Sequence, residues 1–186
     1  INGAYTALPE IGEGYMQQIN DQIGTDYHLF DYYGAADADR VVVCMGSFCD
    51  TLKEAIDYLN SHGEKVGLVE VHLFRPFSIK HFTKVLPKTV KKIAVLDRTK
   101  EPGSIGEPLY EDVITALYEA SMSDIKVVGG RYGLGSKDEP PAAAFSVYRE
   151  LEKDEPKREF TIGIVDDVTN LSLPMDASAP NTAAPG

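Results

Sequence analysis

Five short apolar runs, spaced by segments with helical periodicity, constrain this chain more than any other feature. They are Val41–Met45, Val66–Leu73, Lys92–Asp97, Ile125–Val128 and Phe160–Val165. Val41-Val42-Val43-Cys44-Met45 is a continuous β-branched run, the mark of a strand covered on both faces. After it, Ser47 with Asp50 three residues on fits a helix start. Leu52, Ala55, Ile56 and Leu59 then share one helical face, which Gly63 closes. A second helix is predicted from Ile79 to Leu86, with Ser78 as its cap, and stops before Pro87. A third opens at Pro108, where a first helical turn accepts proline, and turns Leu109, Val113, Ala116, Leu117 and Ala120 inward. A fourth follows Pro140-Pro141, with Phe145, Tyr148 and Leu151 inward. Strands alternating with helices imply parallel βαβ units. The expected fold is a three-layer α/β/α domain with a mostly parallel sheet of about five strands. The last strand follows a polar loop and could be antiparallel at an edge.

The flanks differ from this core. Ile11, Tyr15, Ile19 and Ile23 recur at helical spacing and predict an amphipathic helix over residues 9–23, ended by Gly24. Tyr27 to Tyr33 reads as an aromatic connector that leaves an exposed apolar patch. Residues 1–36 are therefore expected to be a helical lead-in packing against something else, and 37–174 the α/β domain. Residues 175–186 are small, polar and Pro/Ala-rich and read as a linker to a further domain. An initial Ile1 in place of Met leads to the same expectation, a segment of a longer chain.

Composition excludes several classes. The net charge is −11, and so acidic a surface repels phosphate backbones, which argues against nucleic acid. No apolar run approaches the roughly 20 residues of a membrane helix, and no secretory signal is visible. Cys44 and Cys49 match neither a redox nor a zinc spacing. Two unpaired cysteines without a signal suggest a reducing cytoplasm. His28, His62, His72 and His81 are scattered without ligand spacing. No nucleophile elbow, cysteine-rich cluster motif or Gly-Asp-Gly thiamine stretch appears.

Two loops could carry chemistry, because ligands in open parallel sheets sit beyond the carboxyl ends of strands. The first, Asp97 to Pro108, holds Arg98, Lys100, Gly103 and Gly106 and leads into a helix N-terminus, which favours anions. Glu101, Glu107 and Glu111 crowd the same place and oppose one. The second, Gly129 to Asp138, holds Arg131, Gly133, Gly135 and Lys137. It is neither a Rossmann fingerprint nor a Walker A loop, since Asp138 stands where each pattern needs another residue. Three readings stay open for both loops: a small-molecule anion site, an inter-domain contact, and a structural turn. Asp166-Asp167 reads as a solvated turn or cap.

Several stretches together carry a resemblance. They are Val43-Cys44-Met45-Gly46-Ser47, Leu73-Phe74-Arg75-Pro76-Phe77, Ile93 to Gly106, Glu107-Pro108-Leu109-Tyr110, Val128 to Lys137, and Phe160 to Thr169. In this order the chain resembles, over roughly residues 9–174, the second domain of the pyruvate:ferredoxin (flavodoxin) oxidoreductases. The resemblance implies a transketolase C-terminal-like fold. It implies a parent enzyme that oxidatively decarboxylates pyruvate with CoA, using thiamine diphosphate, Mg and [4Fe-4S] clusters, and passes electrons to ferredoxin or flavodoxin. It further implies a homodimeric parent, whose cofactor residues lie in other domains, so that this segment has no catalytic, cofactor-binding or metal residue of its own and is inactive alone. The expectation is a non-catalytic scaffold domain that meets neighbouring domains through its two glycine-rich loops. The alternative is a stand-alone binding module for an anionic metabolite, with Arg98, Lys100, Arg131 and Lys137 converging on two helix entrances.

Overall fold

A computed structural model describes residues 2–165 and 167–180. Its elements are α1 (Asn2–Ile23), β1 (Phe30–Gly34), β2 (Arg40–Cys44), α2 (Phe48–Ser61), β3 (Val66–Val71), α3 (Ile79–Val85), β4 (Lys92–Asp97), α4 (Pro108–Glu119), β5 (Lys126–Arg131), α5 (Pro141–Glu152) and β6 (Glu159–Thr161). The strands form one six-stranded sheet in the order β1-β3-β2-β4-β5-β6. β2, β3, β4, β5 and β6 are parallel, as in Val42 opposite Leu68 and Asp97 opposite Arg131.

Alternation along the strands splits the core into two layers. Val42, Cys44, Leu68, Ala94, Leu96 and Phe160 face α2 and α5. Val41, Val43, Val69, Ile93 and Val95 face α3 and α4, with Met16 of α1 on the same side. The three-layer α/β/α architecture is the one expected, with three corrections.

The sheet has six strands rather than five. The extra one is β1, which the sequence reading took for a connector. Phe30, Asp31, Tyr32, Tyr33 and Gly34 pair antiparallel with Val71 back to Gly67, and Phe30 lies in the core. Such an edge strand is half solvated and alternates with polar residues, so it shows no continuous apolar run. The antiparallel edge is therefore β1, while β6 is parallel to β5 and ends at Thr161, well before Val165. Finally, α1 starts seven residues earlier than Pro9 and runs through it. Its inward residues are Pro9, Met16 and Asn20, while Ile11, Tyr15, Ile19 and Ile23 are exposed.

The residues after β6 do not swing free at once. Ser172 bridges Thr161, Leu173 is buried, Arg149 faces Asp176, and the Asp176 N–H donates to Ser146 Oγ at 3.0 Å. Residues 171–179 thus strap α5, and 175–179 belong to the stretch expected to be a linker. The rest of that stretch, 181–186, lies outside the described residues, as does Asp166 of the Asp166-Asp167 pair. Asp167 accepts the Ser172 and Thr169 N–H groups, so it caps a turn as expected.

Candidate functional site

The chain reverses its direction of travel across the sheet between β3 and β4. β2 and β4 become neighbours whose following loops run to opposite sides, which opens a crevice at their carboxyl ends. A cavity of about 300 Å³ lies there, walled by Ser47, Phe48 and Thr51 of α2's first turn, Arg98 after β4, and Tyr132, Gly133, Lys137, Asp138 and Glu139 after β5.

Tyr132 forms its floor. The ring stacks on Phe48 with centroids 5.1 Å apart, and the hydroxyl donates to the Met45 carbonyl at 2.9 Å. Burial pushes its pKa well up, so it remains a neutral donor. Glu139 forms one wall. Its Oε1 accepts the Gly133 N–H at 2.9 Å, while Oε2 is shielded with no protein partner among the described residues. Burial raises the pKa of this carboxyl, against the pull of the Gly133 N–H, Lys137 and Arg98. Two glycines make this packing feasible. Gly133, at φ +63°, has the Arg98 side chain lying where a Cβ would stand, and Gly163, at φ +77°, does the same for the Glu139 carboxylate. Ser47, whose side chain was expected to open α2, makes no capping bond, so that helix N-terminus faces the cavity uncapped.

The loop after β4 is built differently. Asp97, 5% exposed, accepts the N–H groups of Leu109 at 2.9 Å and Tyr110 at 3.1 Å. It thus caps α4 from the end of β4 and occupies the donors that a helix entrance would offer an anion. Glu107, 4% exposed, accepts the Glu101 N–H at 2.7 Å and pairs with Arg131 Nε, whose other arm holds Glu159 at 2.9 Å.

The eight candidate residues therefore separate. Arg98, Gly133 and Lys137 gather at the cavity, where neither cation has a salt-bridge partner among the described residues. Gly135 follows in a 3-10 turn at φ +67°. Arg131 is neutralised by two carboxylates. Lys100 and Gly103 are exposed on the first loop, and Gly106 sits against the Tyr110 ring. The four cations do not converge on two helix entrances. Sequence reasoning missed Tyr132 and Glu139 as site residues, together with Asp97 as the cap of α4.

The two thiols also bear on chemistry. Cys44 and Cys49 are both buried in the layer under α2, and a [4Fe-4S] cluster takes four thiolates, so they do not fit one. Among the described residues no group of three or more His, Cys, Asp or Glu side chains could hold a metal ion. No described helix is long and apolar enough to cross a membrane.

Comparisons with known proteins agree with this architecture. The chain is 52% identical over 185 residues to a pyruvate-flavodoxin oxidoreductase of Enterobacter agglomerans, covering 100% of this chain and 16% of that protein. It is 58% identical over 172 residues to a pyruvate:ferredoxin oxidoreductase of Moorella thermoacetica, covering 92% of this chain and 15% of that one. The chain thus spans about one sixth of the length of these relatives. A solved 2-oxoglutarate:ferredoxin oxidoreductase from Magnetococcus marinus, determined with 2-oxoglutarate, coenzyme A and succinyl-CoA bound, shares the fold. Its TM-score is 0.50 at 15% identity, over 75% of this chain and 22% of that one. Residues 38–139 match the family model for pyruvate:ferredoxin oxidoreductase core domain II, and the chain belongs to that family.

Proposed function

We propose that this chain is a non-catalytic structural domain of a pyruvate:ferredoxin (flavodoxin) oxidoreductase. The parent reaction oxidises pyruvate with CoA to acetyl-CoA and CO2 and delivers electrons to ferredoxin or flavodoxin. Thiamine diphosphate with Mg supplies the carbanion chemistry and [4Fe-4S] clusters carry the electrons, both held outside this segment. The division into lead-in, α/β domain 37–174 and linker 175–186 belongs to the same reading, with the sheet of the α/β domain extended to take in β1, as do a cytoplasmic location and a homodimeric parent.

One observation carries it. Relatives matched over 92% to 100% of this chain are about six times longer and are named as pyruvate oxidoreductases of flavodoxin or ferredoxin. The site geometry supports it, because part of the charge at the two loops is consumed internally. Asp97 caps α4, and Glu107 and Glu159 hold Arg131. What remains at the surface, Arg98, Lys100 and Lys137, suits contact with a neighbouring domain. The stand-alone anion-binding reading loses Arg131 and the α4 entrance.

The test uses the full-length enzyme. Replacing Arg98 or Lys100 with Ala should lower assembly or thermal stability and leave kcat and the KM values for pyruvate and CoA unchanged. Normal assembly with a selective rise in KM for either substrate would overturn the proposal.

A further inference from the structure

On α1 a second apolar face stands beside the one that seats the helix. Tyr5, Leu8, Ile11, Tyr15, Ile19 and Ile23 are 39% to 66% exposed. At about 100° per residue they fall within one sector of roughly 120°, running some 27 Å along the helix. The positions between them are Ala4, Gly12 and Gln22, and the acidic residues Glu10, Glu13 and Asp21 lie around the rest of the helix. The sector is free of charge.

This face is not the inner face of a helix that has come loose. The helix is already seated by a different one. Glu13 accepts the Leu29 N–H at 3.0 Å and faces His28, and Glu10 pairs with Lys80 at 2.8 Å. Asn20, buried, bonds both the N–H and the carbonyl of Tyr27 at 2.9 Å. A helix seated on one side with a long uncharged apolar sector on the other is a contact surface.

We infer that this sector is the seat of another domain of the same polypeptide, which meets it with an uncharged apolar surface. The inference rests on the reading of this chain as one domain of a longer enzyme. Two observations choose this occupant over a second copy. Five sixths of each matched relative lies outside the region shared with this chain, so tethered surface is abundant at high effective concentration. Pairing two copies through α1 would instead bring together two bodies each carrying −11.

The experiment is maleimide labelling of the full-length polypeptide at single introduced cysteines, Ile19→Cys in the sector and Gln17→Cys on the opposite, exposed side of α1. Coverage should make Ile19→Cys label about tenfold or more slower than Gln17→Cys, at a ratio that does not change on dilution. Equal rates would overturn the inference and leave the structural-domain reading intact. Protection lost on dilution would also overturn it, in favour of a second copy. A benzophenone amino acid in place of Tyr15 should cross-link within one polypeptide, to a peptide outside residues 1–186. A cross-link between two polypeptides would refute it. An immunoblot band at 20.4 kDa in place of a several-fold larger one would instead remove the reading on which the inference rests.

Discussion

Replacing Asp97 with Ala tests how the loop that borders the cavity is held. Its carboxylate accepts two N–H groups in the first turn of α4, at 2.9 and 3.1 Å, and the Leu109 bond is buried. Leaving a buried donor unpaired costs about 1–3 kcal/mol, and losing a helix cap costs about 0.5–2 kcal/mol. The two effects overlap, so the expected loss is about 2–3 kcal/mol. For a chain of this size each kcal/mol moves Tm by roughly 2–4 °C, which gives a drop of about 4–12 °C. The chain has no Trp, so far-UV circular dichroism during urea and thermal unfolding is the suitable readout. Asp97→Asn keeps one oxygen and should lose about half as much. Burial, partly offset by the two N–H bonds, raises the pKa of Asp97 in the folded state. A raised carboxyl contributes stability that is present below its unfolded pKa and is lost as pH rises through the folded value. Asn does not titrate, so the gap between the native chain and Asp97→Asn should narrow from acid towards neutral pH. A loss below about 0.5 kcal/mol for Asp97→Ala, the lower end of the capping range, would refute the reasoning. So would equal losses for the Ala and Asn variants.

Three further outcomes are expected. Hydrogen bonds to Glu13 and Asp26 raise the pKa of His28, and a bond to Asp31 raises that of His72. Their contribution is present below the ordinary histidine range and lost as pH rises through the raised values, so stability should fall as pH rises above the ordinary histidine range and His72→Asn should flatten the fall. Gly130→Ala should cost about 1–3 kcal/mol by overpacking, since its Cβ would stand 2.5 Å from Leu96 Cδ2 and Phe160 Cε2, whereas Gly14→Ala, in an open part of α1, should gain about 0.5–1 kcal/mol in the same unfolding assay. Cys44 and Cys49 are both fully buried, so neither should react with a maleimide at about pH 7.5 until denaturant is added.

The parts of this fold that were legible in the sequence are those buried on two sides. β2 and β4 carry four consecutive apolar residues each, and no other element suits such runs between helices. β1 was illegible because only Phe30 and its neighbour Leu29 are fully buried, with Tyr32 half-buried, and alternation over five residues with Asp31 and Gly34 looks like a loop. The spacing of Ile11, Tyr15, Ile19 and Ile23 revealed the helix but not its orientation. Periodicity says which residues share a face, and burial needs a partner that the string does not show. At the site, Arg98, Gly133 and Lys137 were visible one loop at a time. Tyr132 and Glu139 became site residues only through strand order, which sets the end of β5 beside the first turn of α2. Asp97 read as the end of a strand, although Pro108, eleven residues on, marks the start of the helix it caps.

The strand order also sets a schedule. β1 has β3 as its sole neighbour, and β2 lies between them in the chain but not in the sheet. During synthesis the Phe30 side chain must therefore wait for Val71, its register partner, while roughly forty residues emerge, about 2–8 s at ordinary elongation rates. β2 waits less long on one side, where Val42 meets Leu68, and longer on the other, where it meets Ala94 of β4. The nascent chain thus carries an unpaired aromatic strand for seconds before its sheet partner exists, beside an apolar sector of α1 that the sheet never covers. That interval, rather than the finished fold, is where a chaperone or an off-pathway contact would find this protein.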